Sequence, residues 1–357
     1  MGCPGDDMKP TGVTRKLGIR YPLILAPLAG GPSTPALTAA VSEAGGLGSH
    51  GGAYLSPDKL REEIRAIRAA TQRPFAVNLF ADEGVTAGAA VLQQAAAALS
   101  RYRDELRLAP PQPAAGTSFA SAFAVVLEER VPVFSFTFGI PPRGMLEACR
   151  KANIVTVGTA TTVAEARALE EAGVDAICAQ GAEAGGHHGT FDRDANPALI
   201  GVMALVPQMI DAVRVPVIAA GGIMDGRGVV AALALGAGAA QLGTAFLRCP
   251  EAGTSAPYRA ALRQARDDST VVTRAFSGRA ARGLANRFTR EMAAAPLAPF
   301  PAQNALTRDM RAAAARAGDS GLLSLWAGQA AALARELPAA ELTERIMGEA
   351  DEVLAKL

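Results

Sequence analysis

Short, uniformly apolar runs recur along the chain, separated by alanine-rich stretches of helical period. Eight stand out, at residues 23–26, 47–50, 75–79, 133–138, 154–157, 176–179, 215–219 and 240–246. Most lack the alternation of a half-exposed strand, so they read as strands buried on both faces, as in parallel sheets covered by helices. The intervening stretches carry helix punctuation. Thr34 and Pro35 supply an N-cap and a first-turn proline for a helix ending near residues 43–46, and Ser56-Pro57 opens another with Leu60, Ile64 and Ile67 at helical spacing. Thr162 caps a third that ends at Gly173, and a fourth runs from about Asp225 to Leu235, before Gly236. Strand and helix alternating about eight times leave a closed (β/α)8 TIM barrel or an open doubly wound sheet, and the count favours the barrel.

Two regions break the repeat. The connection across residues 80–131 is long for one crossover and predicts a helical insertion at about 82–130 of a barrel spanning 1–250. Beyond it the pattern is largely helical, which predicts a smaller helical cap domain over 251–335 and a last helix, 336–357, returning to the barrel.

Composition narrows the class. Of 357 residues half are hydrophobic and 19% charged, with a formal net charge of +1, which argues against disorder, an acidic tail or a polyanion-binding surface. Arginines gather at 274, 279, 282, 287 and 290, but without the interleaved aromatics of a stacking platform, so no nucleic-acid partner is expected. Cys3, Cys149, Cys178 and Cys249 are scattered and fit no metal or redox spacing; Cys178 reads as a small core residue. Residues 1–6 lack a secretory signal, and the apolar runs are too short to span a bilayer. The expectation is a cytoplasmic protein with no membrane partner and no metal, compatible with a homodimer.

In a parallel barrel, chemistry gathers at the C-terminal strand ends. There lie Asn78 on the third strand, Gln180 on the sixth, Gly221 and Gly222 after the seventh, and Gln241, Leu242, Gly243 and Thr244 on the eighth. The sixth continues into a loop containing Gly181, Gly185, Gly186 and Gly189 and two of the three histidines, His187 and His188. Glycines after the seventh and eighth strands suit a phosphate, because their N–H groups can point at an anion. Each such contact contributes only about 0.3–1 kcal/mol when exposed, so several must converge. Neither a Rossmann fingerprint nor a P-loop is present. A phosphate grip, a glycine-lined slot and amide side chains that both donate and accept, Asn78 and Gln180, point to flavin mononucleotide (FMN).

His187 is the candidate acid or base, a role typically contributing about 10²–10⁴-fold in rate. His188 is expected to face outward, and a histidine pair without further ligands does not predict a metal. His50 reads as structural and Glu183 as a loop or helix hydrogen-bonding group. Residues 277–282 either hold an anion or tie cap to barrel, and Trp326 either packs a helix or touches the pocket.

These residues sit in motifs that resemble the class I nitronate monooxygenases, formerly 2-nitropropane dioxygenases. Ala26-Pro27-Leu28-Ala29-Gly30-Gly31, Ser33-Thr34-Pro35, Ala44-Gly45-Gly46-Leu47-Gly48 and residues 75–80 resemble the family's N-terminal half. Residues 180–189, 219–223 and 241–246 resemble its flavin half. Phe276-Ser277-Gly278-Arg279-Ala280-Ala281-Arg282-Gly283 and Leu325-Trp326-Ala327-Gly328-Gln329 resemble its C-terminal motifs. One departure is Leu28, where the family commonly has methionine; the flavin floor should survive, but not a contact specific to sulfur. The resemblance implies an FMN barrel with a helical cap, FMN bound by Asn78, Gln180, Gly185, Gly222 and residues 241–244, and His187 as the catalytic histidine. It implies oxidation of alkyl nitronates, such as propionate 3-nitronate, by O2 to a carbonyl compound and nitrite. An NAD(P)H:quinone reductase or enoyl-thioester reductase on the same barrel shares the histidine loop and is the first alternative; a non-redox phosphate-binding barrel is the second.

Overall fold

The computed structural model describes residues 9–81, 85–111, 118–192 and 198–357; residues 1–6, with Cys3, and parts of the 82–130 segment lie outside it. Strands β1 (Leu23–Leu25), β2 (Gly48–Gly51), β3 (Phe75–Phe80), β4 (Val133–Thr137), β5 (Val155–Ala160) and β6 (Ala176–Gln180) are followed by a two-residue strand, β7 (Gly186–His187), and by β8 (Val217–Ala220) and β9 (Ala239–Leu242). All but β7 run parallel in the order β1-β9-β8-β6-β5-β4-β3-β2, and a parallel bridge from Ile24 to Leu47 joins the two ends into a closed barrel. The (β/α)8 architecture is therefore realised with these eight strands. The eighth apolar run stops being strand at Leu242 and turns into a short 3-10 helix at Thr244–Phe246, rather than staying extended to residue 246.

The helices in chain order are α1 (Gly12–Leu17), α2 (Pro35–Glu43), α3 (Pro57–Ala70), α4 (Ala89–Glu105), α5 (Phe119–Glu128), α6 (Arg143–Lys151) and α7 (Val163–Ala172). They continue with α8 (Val202–Ala212), α9 (Gly226–Ala234), α10 (Ala256–Arg263), α11 (Arg287–Glu291), α12 (Ala302–Ala317) and α13 (Ala339–Leu354). The sequence punctuation acts as read: Thr34, Ser56 and Thr162 each accept a hydrogen bond from a first-turn N–H, and Gly173 ends α7 in the left-handed conformation. On α3, Leu60, Ile64 and Ile67 are fully buried, the single apolar stripe of a barrel-covering helix. α1 stoppers the barrel's N-terminal end: Val13 and Leu17 join the interior layer of Ile24, Ala76 and Ile218, and Thr11 donates to the Gly238 carbonyl at 2.6 Å. α13 packs on α9 and α2, where the close approach leaves Gly226 no room for a Cβ beside Ala350 N.

Above the C-terminal strand ends lies a cap with its own apolar core, including Phe276, Phe288, Met310 and Leu325. It is not purely helical. Besides α10, α11 and α12 it contains the antiparallel hairpin β10 (Thr270–Thr273) and β11 (Ala281–Leu284). β7 adds to that hairpin, with His187 opposite Ala281 and Gly186 opposite Arg282. The insertion divides its loyalty: α5 lies on β3 and α3, whereas α4 gives Leu99 and Tyr102 to the cap core. Arg103 on α4 is buried and bonds Asp309 of α12 at 2.7 and 3.0 Å.

Candidate active site

A cavity of about 440 Å³ opens between the strand ends and the cap, within the size range of small-molecule sites. Asn78, Gln180, Gly185, His187, Gly221, Gly222, Gln241, Gly243 and Thr244 all line it. Leu242 does not: side chains alternate along β9, so Gln241 faces the cavity while Leu242 is buried in the core. Gln241 is held by donating to Cys178 Sγ at 3.3 Å, and Asn78 donates to Ser135 Oγ at 3.0 Å. Burial pushes the Cys178 thiol up to about 12, which keeps it an inert part of the floor.

His187 is positioned from three sides. Its backbone is zipped to β11. Gln180, at the end of β6, uses its amide as a clamp on the loop, donating to His187 O at 3.0 Å and accepting from Gly189 N at 2.7 Å. The ring Nε2 lies 2.8 Å from Ser277 Oγ, which donates onward to Arg279 O at 3.0 Å. Four aromatic rings surround the imidazole, those of Phe80, Phe138, Phe300 and Trp326, with centroids 5.4–6.4 Å away. This desolvation is the main reason the His187 pKa falls to about 3, with Arg279, Arg311 and His188 adding smaller repulsions. The ring is therefore neutral at physiological pH, and a carbonyl-bound Ser277 hydroxyl leaves Nδ1 as the nitrogen open to the cavity.

Two walls are made by main chain. A Cβ on Gly185 would come within 2.5 Å of Ala327 C and Gly328 N, so only glycine permits the cap to lie against this loop. Gly221 and Gly222 adopt φ of +123° and +70°. Among the described residues, the N–H groups of Gly222 and Thr244 donate to no protein acceptor, and both residues line the cavity. Two adjacent turns thus present open donors, as an anion requires.

Several side chains are placed differently from expectation, or beyond what sequence indicated. His188 does not face outward: it is 2% exposed, its ring nitrogens have no hydrogen-bond partner, and burial lowers its pKa to about 4. The cause is strand pairing, since consecutive β residues point to opposite faces and the hairpin covers the far one. His50 is structural, buried behind β2 with Nε2 2.7 Å from Glu63 Oε2, an ion-pair contact without hydrogen-bond alignment. Glu183 accepts from Val202 N at 2.9 and 3.1 Å, securing the first turn of α8. Arg279 donates to Thr190 O and lies 3.8 Å over the Phe138 ring, and Arg282 donates to Ala182 O at 2.8 Å; both tie cap to barrel. Trp326 lines the cavity. Tyr54 and Arg311 had no signal in the sequence that set them apart, and Ser277 and Phe80 stood out only as members of motifs, without the contacts to His187 that the fold gives them. Among the described residues no three metal-ligating side chains cluster, and no helix is long and apolar enough to cross a membrane.

Comparison with known proteins places this geometry in context. The nitronate monooxygenase family model matches residues 11–349. A probable nitronate monooxygenase of Staphylococcus aureus (strain JH9) is 42% identical over 347 residues, covering 96% of this chain and 98% of that protein. The structure of nitroalkane oxidase from Streptomyces ansochromogenes superposes with a TM-score of 0.91 at 43% identity, over 96% of this chain and 99% of the other. FabK from Thermotoga maritima is similar at a TM-score of 0.75 and 32% identity, over 98% of each chain.

Proposed function

The chain belongs to the nitronate monooxygenase family, and from that premise we propose that it is an FMN enzyme oxidising alkyl nitronates, with O2 as co-substrate, to a carbonyl compound and nitrite. The observation that carries the reading is a neutral His187, tied at Nε2 and open at Nδ1, in a cavity two of whose walls are glycine-rich main chain.

The residues present fit FMN. The open N–H groups of Gly222 and Thr244, with Gly221 and Gly243 beside them, would take the phosphate. The amides of Asn78 and Gln241 and the remaining capacity of Gln180 would meet the ring edge, and Gly185 gives the ring a flat approach. Leu242 would contribute only its main chain. Bound FMN would supply the two-electron acceptor and the reaction with O2.

The protein's own part is binding, orientation and proton handling. The aromatic cage excludes water around the reacting carbon. Nδ1 of His187 can accept the α-proton of a neutral nitroalkane, a step that becomes favourable as the nitronate forms, because an adjacent anion stabilises the imidazolium. For a substrate already ionised, the same ring orients it, and Arg279 and Arg311 supply positive potential.

Reconstitution with FMN followed by oxygen uptake and nitrite release tests the proposal. Expected are a yellow holoenzyme, nitrite formed from propionate 3-nitronate, and, with a neutral nitroalkane as substrate, a loss of about 10²–10⁴-fold in kcat on His187→Ala. A protein that binds no FMN, or a holoenzyme that releases no nitrite, would overturn it.

A further inference from the structure

The Tyr54 phenol borders the cavity but takes no part in positioning His187 or in the glycine turns that suit a phosphate. Tyr54 stands in the barrel segment between β2 and α3, and its ring is braced. It meets the Phe80 ring edge-on, with centroids 5.4 Å apart and planes at 88°. It also lies against Gly30, where a Cβ would stand 3.7 Å from Cδ2 and Cε2. These contacts hold the ring and spare the hydroxyl. Among the described residues it has no hydrogen-bond partner, and it is open rather than sealed in the core. Burial pushes the phenol up to about 12, so it stays protonated and able to donate. A desolvated donor without an acceptor forgoes a bond it would make in water, so a ligand that accepts here is favoured.

The barrel topology says what that ligand group is. Around the closed barrel β2 lies four strands from β6, on the far side of an eight-membered ring. Tyr54 follows β2 and His187 follows β6, so the two polar groups reach the mouth from opposite walls. Phe80 is their common neighbour, 5.4 Å from Tyr54 and 6.4 Å from His187 between ring centroids. The neighbours of β2 are β1 and β3, whereas the phosphate-suited turns follow β8 and β9. A ligand held between Tyr54 and His187 must therefore offer an acceptor at one end and its reacting carbon close by at the other. A nitronate has that form, because its charge sits on two oxygens bound to the nitrogen that bears the carbon. The positive potential that reaches the phenol favours an anionic acceptor over a neutral one.

We propose that the Tyr54 hydroxyl donates to the nitronate oxygens, fixing the charged end of the substrate at the Tyr54 wall so that its carbon faces His187. The inference rests on the nitronate reading of the cavity and adds the donor that orients the nitro group. A hydroxyl donating to an anionic oxygen makes a bond about twice as strong as a neutral pair, and a directed one, which a diffuse potential is not. A nitronate carries its full charge when it binds, so the bond contributes to binding rather than to the chemical step.

Tyr54→Phe tests this, since it keeps the ring against Phe80 and Gly30 and removes only the hydroxyl. On the FMN holoenzyme with ethylnitronate it should raise KM by about 10–10²-fold, the range for a lost hydrogen bond to a charged group, while kcat changes by less than about threefold. Nitrate, planar and anionic like the nitronate group, serves as an unreactive probe, with FMN filling the phosphate turns. Calorimetry should show nitrate binding to the wild-type holoenzyme and a weakening of the same order in Tyr54→Phe, at an unchanged melting temperature. A purely structural ring would leave both KM and nitrate affinity at wild-type values, and that result overturns the assignment. If the holoenzyme oxidises no nitronate yet Tyr54→Phe weakens nitrate, the oxidase reading fails and the donor stands. Nitrate binding that is absent from the wild-type holoenzyme, or equally tight in the variant, overturns the donor whatever turnover shows.

Discussion

His187 Nε2 and Ser277 Oγ lie 2.8 Å apart, and the same hydroxyl lies 3.0 Å from the Arg279 carbonyl. With Ser277 donating its only proton to the Arg279 carbonyl, which can only accept, Nε2 is assigned the proton that Ser277 accepts. A histidine on the barrel thus takes its tautomer from a turn in the cap. Ser277→Ala should release that choice and lower kcat/KM for nitronates by about 10-fold, comparable with one lost hydrogen bond to an oriented group. Nitrogen chemical shifts of labelled histidine check the cause: the wild type should show one His187 tautomer and the variant a mixture.

The two adjacent desolvated histidines predict a pH dependence of stability. His187 and His188 fall to about 3 and about 4 when folded, from an ordinary 6.5. Between pH 6.5 and about 4 the unfolded chain binds protons that the folded one refuses. Stability is therefore fully present above the unfolded value and is lost as pH falls, by up to about 1.4 kcal/mol per pH unit for each ring. Urea titrations in mild acid, above the carboxylate range, should show this slope, and His188→Leu should roughly halve it. Because His188 makes no ring hydrogen bond, that variant should lose little stability at neutral pH. A slope unaffected by the substitution would remove His188 from the account.

Glu165, buried on α7, pins the segment that follows the His187 loop. One carboxylate oxygen accepts from Thr161 N at 2.6 Å and Thr161 Oγ1 at 2.8 Å, the other from the N–H groups of Phe191 and Asp192. Glu165→Gln must turn an N–H₂ toward one pair of donors, which should cost about 1–3 kcal/mol. Hydrogen exchange should speed up first at Phe191 and Asp192, and uniform protection across the chain would contradict a local tether.

Gly185→Ala places a Cβ against the Ala327–Gly328 backbone, which cannot move aside as a side chain tip would. The expected cost is about 1–3 kcal/mol, with cap docking weakened at the cavity wall. FMN retention on gel filtration should fall more than melting temperature does; the reverse order would assign Gly185 a purely structural role.

What sequence made legible follows from how local each signal is. The eight barrel strands announce themselves as apolar runs because they are buried on both faces, and Thr34, Ser56 and Thr162 mark helix starts through contacts within their own first turns. His187 was legible because glycines and imidazoles crowd one strand end. The pairing of β7 with β11 was not, since two residues carry no period and their partners lie over ninety positions away. His188 was misplaced for the same reason. Arg311 sits on an alanine- and arginine-rich helix that reads as a solvent face; only the docking of α12 over the cavity turns that face inward.

Anaerobic mixing of the FMN holoenzyme with propionate 3-nitronate, and separately with NADH, tests the central claim most directly. The predicted result is rapid bleaching of the flavin absorbance by the nitronate and none on the same timescale by NADH, with His187→Ala slowing the nitronate reaction. Bleaching by NADH while the nitronate leaves the flavin oxidised would contradict the oxidase reading and assign the barrel to a reductase.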